Sequence, residues 1–186
     1  MKHTEYAETV MEELSVTQAK IDNDASEAFQ NAVLAAKEIF VAGAGRSGFM
    51  ARGFAMRLMH MGKKAYVVGE VVTPNISAGD VLVICSGSGE TESLVGMAKK
   101  AKKLGAKVLL VTIFPSSSIA DIADVIVVIP APTPKSEQKQ EMKSIQPMGS
   151  LFEQSLLLCL DIIILGMMEK EGQTSDNMFG RHANLE

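Results

Sequence analysis

Two short glycine-rich stretches hold the side chains of this chain best suited to chemistry. Ser86, Gly87, Ser88, Gly89, Glu90 and Thr91 gather three hydroxyls around two glycines, and Gly43, Ala44, Gly45, Arg46, Ser47 and Gly48 add a guanidinium and a fourth hydroxyl. Each stretch follows an apolar, strand-like run and leads into a helical pattern. A strand, a tight turn and a helix start present unpaired backbone N–H groups and the positive end of the helix dipole to an anion. Hydroxyls from Ser86, Ser88 and Thr91, with backbone donors at Gly87 and Gly89, suit a phosphate monoester without a metal ion. One such turn reads equally well as a tight loop. Two at matching positions imply one phosphate-bearing ligand held near both.

The first turn also fits G-x-G-x-x-G through Gly43, Gly45 and Gly48, with Glu70 at the distance where a dinucleotide fold holds a ribose. That reading leaves Ser86–Thr91 without a role and little chain for a substrate domain. The nucleotide-hydrolase signature G-x-x-x-x-G-K-[ST] is absent.

Other candidates stand further along. Arg46 is suited to a phosphate or to negative charge developing in a reaction, or else to a surface ion pair. Glu153 falls near the expected start of the last long helix, where it serves either as a general base reaching a crevice or as a first-turn carboxylate complementing the helix dipole. Glu70 in VVGEVV is a competing base, an orienting group, or a turn carboxylate without a role. Of three histidines, His3 lies in the N-terminal tail and His60 reads as packed among Met56, Met59 and Met61, a stripe taken as core. His182 in MFGRHANL can both give and accept a proton near neutral pH, or be a solvated tail residue. Cys85 and Cys159 lie in apolar runs and read as small buried hydrophobes, so neither a disulfide nor a zinc site is expected and a reducing cytoplasm is the default location.

The elements that must position these groups follow from the pattern of apolar residues. Residues 4–36 carry helical periodicity broken near Asn23 and Asp24. Five short runs rich in β-branched and aliphatic residues follow, at 39–42, 65–68, 81–85, 108–112 and 125–129, with helical segments near 47–61, 90–104 and 117–122. That alternation predicts an α/β fold, a three-layer α-β-α sandwich around a five-stranded, parallel, doubly wound sheet. Residues 130–147, rich in Pro, Lys, Glu and Gln, read as a long exposed loop, mobile or lid-forming, and a long apolar helix runs from about 149 to 170. Apolar residues spread all round that helix imply burial on more than one side and hence a subunit interface.

At 186 residues with 47% hydrophobic and 22% charged content, one compact domain spanning 1–186 is expected. A net charge of -4 argues against a nucleic-acid surface, and Lys99, Lys100, Lys102 and Lys103 read as a solvated helix face. The acidic, amphipathic N-terminus does not resemble a signal peptide, and the apolar stretch 156–168 contains Asp161 and is short for a bilayer, so no membrane role is expected.

Taken together, GAGRSG, RLMHMG, VVGEVVTP, SGSGET, IQPMGSLFEQ and RHANLE resemble the 6-phospho-3-hexuloisomerase family of the sugar isomerase (SIS) domain superfamily, with the resemblance covering nearly the whole chain. SGSGET alone indicates only the superfamily, whose members hold phosphosugars on a Ser/Thr-rich loop after a parallel strand. The resemblance implies interconversion of D-arabino-hex-3-ulose 6-phosphate and D-fructose 6-phosphate in the ribulose monophosphate pathway, no metal cofactor, and a homotetramer. It implies Glu153 as proton acceptor, and His182 as a site residue, which so near the chain end completes either its own or a neighbouring subunit's site. Arg46, Ser47, Glu70 and residues 86–91 are then substrate-binding. Two alternatives remain: another isomerase of the superfamily acting on arabinose 5-phosphate or a heptose phosphate, or a non-catalytic sugar-phosphate sensor. Regulators of the superfamily carry a DNA-binding domain ahead of the sugar domain, whereas an acidic segment precedes the first strand here.

Overall fold

The computed structural model describes residues 2–133 and 143–185. Five strands, β1 (Ile39–Gly43), β2 (Ala65–Val67), β3 (Val81–Cys85), β4 (Lys107–Thr112) and β5 (Val125–Val128), form one sheet in the order β2-β1-β3-β4-β5. All neighbours are parallel, and the pairing aligns Gly43 with Cys85 at the carboxyl ends of β1 and β3.

Alternation along each strand sends successive side chains to opposite faces. Ile39, Val41, Val83, Leu109 and Val111 pack on one side with α1 (His3–Gln18), α2 (Asn23–Ala35), α3 (Gly45–His60), α5 (Ser150–Glu171) and Met178 of α6 (Ser175–Phe179). Phe40, Ala42, Leu82, Ile84, Val108 and Leu110 face α4 (Glu92–Lys103) and the segment around Ile119 and Ala120. A sheet buried on both faces explains why its strands read as continuous apolar runs. Winding reverses between β1 and β3, whose helices cover opposite faces, and this switch point is where ligands bind in open α/β sheets.

Several local expectations shift. The helix break falls just before Asn23, where the Asp22 carboxylate caps α2 by accepting from Ala25 N at 2.8 Å. Residues 117–122 form turns and no helix: the hydroxyl and amide of Ser118 are taken up by Glu90, which leaves too short a run to propagate one. Of the expected 130–147 loop, 134–142 lies outside the described residues. Its flanks are not wholly exposed, since Ala131 is buried and Ser144 and Gln146 are half-buried against α1. Helix α5 reaches 22 residues, long and apolar enough by length and composition to cross a bilayer, yet half of its most apolar window is buried within the protein. His60 is buried together with Met61, whereas Met56 and Met59 are exposed, so the methionine stripe is not a core stripe.

Candidate active site

Because β1 and β3 are neighbours in register, the two glycine turns meet at their carboxyl ends. In GAGRSG the glycines allow close approach of the turn to its own helix: a Cβ on Gly48 would stand 2.6 Å from the Gly43 carbonyl oxygen, and one on Gly43 2.9 Å from Gly48 Cα. Helix α3 therefore starts directly over the end of β1. Its first intrahelical bond is Gly48 N to Ala44 O, which leaves the N–H groups of Gly45, Arg46 and Ser47 facing the crevice end, and Ala44 supplies no side-chain cap. Helix α4 repeats the arrangement, with Val95 N to Thr91 O as its first bond and the Thr91 hydroxyl making no cap. Among the described residues neither the Thr91 nor the Ser47 hydroxyl has a protein partner, so both are available to a ligand.

Internal bonds shape the loop between β3 and α4. Ser86 Oγ accepts from Gly89 N at 3.1 Å and Ser88 Oγ from Glu90 N at 3.3 Å. Gly89 lies in the left-handed region at φ 65°, and a Cβ there would fall 2.1 Å from Ser117 Oγ. Glu90 turns away from the crevice: its carboxylate accepts from Ser118 Oγ at 2.6 Å and Ser118 N at 2.7 Å, and these bonds hold it below the usual carboxylate range. Glu90 and Gly89 thus shape the loop from behind.

A cavity of about 330 Å³ results, lined by Arg46, Ser47, Ser86, Gly87, Ser88, Thr91 and Glu153 of the expected site residues. Glu153 sits on the first turn of α5 and accepts a hydrogen bond from Arg46 Nε. This ion pair lines the same cavity as the hydroxyl loop, so a carboxylate, a cation and the hydroxyls border one crevice. Cys85 also lines the floor, but burial first, and Cys159 nearby, push its thiol up to about 12, so it is no nucleophile. Among the described residues no cluster of His, Cys, Asp or Glu could hold a metal ion.

Two expected site residues lie elsewhere in this chain. Glu70 pairs with Arg52 and borders a separate cavity. His182 stacks on His60, with ring centroids 5.4 Å apart and planes 15° apart, in a cavity of about 390 Å³ between α3, α5 and α6. Burial first, then Arg57 and His182, hold the His60 imidazole below its usual range.

Sequence reasoning missed Phe152, which presses on Gly87, and Met148, the one non-glycine positive φ (56°) among the described residues. Met148 lies beside Gly149 in QPMGS, and that adjacency was the only available signal.

Residues 33–158 match the SIS domain model, two thirds of the chain and the whole of the crevice-forming core. The chain belongs to the SIS family. Within it, this SIS protein is 51% identical over 186 residues, all of both chains, to the 3-hexulose-6-phosphate isomerase of Bacillus subtilis (strain 168). It is 38% identical over 185 residues to the 3-hexulose-6-phosphate isomerase of Methylomonas aminofaciens, covering 97% of this chain and 98% of that one. A crystal structure from Methanococcus jannaschii, from which a molecular function of 3-hexulose-6-phosphate isomerase is inferred, superposes with a TM-score of 0.84 at 32% identity, covering 98% of this chain and 99% of that one. The five-stranded parallel sheet with helices on both sides is the SIS fold.

Proposed function

We propose that this SIS protein interconverts D-arabino-hex-3-ulose 6-phosphate and D-fructose 6-phosphate through a cis-enediolate, the second step of formaldehyde fixation by the ribulose monophosphate route. The observation that carries the reading is the Arg46–Glu153 pair lining one crevice with a hydroxyl and amide cradle. Full-length similarity to enzymes named for this reaction supports it.

In this reading Ser86, Ser88, Thr91 and Ser47, with the amides of both helix starts, hold the phosphate. Gly87 and Gly89 let the loop backbone approach the ligand and turn, and Glu90 braces it. Moving the ketone from C3 to C2 removes the C2 proton, forms the enediolate and returns a proton to C3, while the proton on O2 is exchanged for one on O3. Glu153 takes and returns the carbon-bound proton as general base. Arg46, released from Glu153 as substrate enters, meets the enediolate oxygens, whose charge exists only along the reaction path. The 3-ketose reacts open-chain, since closing its five-membered ring would need the oxygen that carries phosphate.

His182 is a second catalytic group, giving or taking an oxygen-bound proton, and it acts in a neighbouring subunit because its own crevice is separate. Glu70, beside the exposed Val71 and Val72, reaches a neighbour's substrate in the same way. Residues 1–186 form one SIS domain, the assembly is a homotetramer in the cytoplasm, and no metal takes part. The test is direct. Supplied with hex-3-ulose 6-phosphate, the wild type forms fructose 6-phosphate and Glu153→Gln loses about 10²–10⁴-fold in kcat. Preferred turnover of arabinose 5-phosphate or a heptose phosphate, or an unimpaired Glu153→Gln, overturns the reading.

A further inference from the structure

The base on α5 is held at a helix start that has no cap of its own. Glu153 lies on the first turn, the N-cap is Gly149 with no side-chain bond, and Met148 before it occupies the left-handed region at φ 56°. An uncapped first turn frays, and a strained residue persists only where its surroundings hold it. The body of α5 is fixed by its buried face, but the 143–149 segment leading into it needs an anchor.

That anchor comes from α1. The Glu13 carboxylate accepts three hydrogen bonds from this segment: Ser144 Oγ at 2.7 Å and Gln146 Nε2 at 2.9 Å on one oxygen, and Ile145 N at 2.8 Å on the other. Ser144 Oγ in turn accepts from Gln146 N at 3.0 Å. Gln146 Oε1 accepts from Gln154 Nε2 at 2.6 Å, and Gln154 is the residue after Glu153. An unbroken polar path therefore runs from α1 to the first turn of α5. Three donors converge on one side chain, which only an ionised carboxylate can satisfy, since an amide would turn a donor toward a donor. Burial alone would raise the Glu13 carboxyl, but the bonds from Ser144, Gln146 and Ile145 outweigh it and keep the group below the usual carboxylate range.

We propose that Glu13 is a positioning residue of the isomerase site, latching residues 144–146 so that the uncapped start of α5 holds Glu153 against Arg46 in the crevice. The inference rests on the proposed isomerase reaction. The latch does not touch the hydroxyl cradle, so it governs the chemical step and leaves ground-state phosphate binding unchanged. Losing it lets Glu153 wander by a fraction of an ångström to an ångström, enough to cost about 10- to 100-fold in rate.

Glu13→Gln and Glu13→Ala are each measured well below their melting temperatures. In hexulose-phosphate turnover, kcat should fall about tenfold or more with KM changed less than twofold. In amide hydrogen exchange, the peptide covering 143–155 should exchange faster while the one covering 86–95 does not. Unchanged exchange shows that no latch exists, and faster exchange with unchanged kcat shows that it positions nothing; either result overturns the proposal. A loss of kcat matched by a rise in KM does so too, because it marks general loosening of the site. A wild type that lacks isomerase activity in the same assay refutes the functional reading instead, and the exchange result then still reports on the latch.

Discussion

Arg46 and Glu153 are each other's partner in the free protein, and this pairing sets what either can do in the reaction. The carboxylate is mostly shielded while the guanidinium is more than half exposed, with side-chain exposures of 19% and 58%. In the proposed reaction a phosphorylated ketose entering the crevice would displace the more exposed arginine, whose planar fork of donors suits a developing oxyanion. A lysine at this position would keep the charge and lose the fork. Arg46→Lys should lower kcat about 10- to 100-fold while raising KM only a few-fold, read in steady-state kinetics with hex-3-ulose 6-phosphate, on the scale of removing one donor to an oxyanion. A variant with wild-type kcat would show that Arg46 serves only as a surface ion pair. That the two glycine turns meet was legible in the sequence because each turn and its hydroxyls lie in one short stretch after a strand. A catalytic role for Glu153 was not legible from its spacing, which fitted a dipole-complementing carboxylate better; only the family resemblance favours the base. Glu13 was invisible, since its partners lie 131 to 133 positions along the chain and an acidic amphipathic helix reads as a solvated face.

At the level of elements, the site depends on how a strand end is coupled to the helix that follows it. The five strands were readable because a sheet covered on both faces needs unbroken β-branched and aliphatic runs, and the turns between them carry glycine. What failed was the 117–122 segment after β4, where two serines followed by Ile119, Ala120 and Ile122 suggested a helix turn. Its conformation is dictated instead by Glu90 and Gly89 of the other loop, a contact no local pattern encodes. Gly89 makes that dependence measurable. Alanine there must adopt a left-handed backbone and place its methyl on the Ser117 hydroxyl, which itself receives Ala120 N at 3.3 Å. Gly89→Ala should cost about 1–3 kcal/mol of stability and raise KM about tenfold, because the hydroxyl loop shifts with the backbone. Gly96→Ala, in open space on α4, should instead stabilise the protein by up to about 1 kcal/mol with unchanged KM. Thermal melts and KM values for the two variants test the contrast, and equal effects would mean that the loop is not held by its contact with Ser117.

For the whole molecule, the question is why His182 stands away from the crevice that its chain encloses. The outer face of α5 exposes Leu158, Ile162 and Leu165, and Phe179 of α6 is 73% exposed beside the stacked His60 and His182 rings. An apolar surface of this kind is what a closed, symmetric assembly covers, and in such an assembly each interface is used reciprocally. If each crevice takes Glu153 from one subunit and His182 from its neighbour, then Glu153→Gln and His182→Ala proteins, each nearly inactive alone, must complement one another. A pair built from the two variants contains one site with both replacements and one site with neither. Random reassembly gives pairs of mixed type half the time, so unfolding and refolding the two together should restore about a quarter of wild-type activity. Mixing without dissociation should restore none. Sites built within single subunits predict no recovery under either protocol, so the refolded mixture decides between an isomerase whose chemistry depends on assembly and one whose tail histidine only packs against α3.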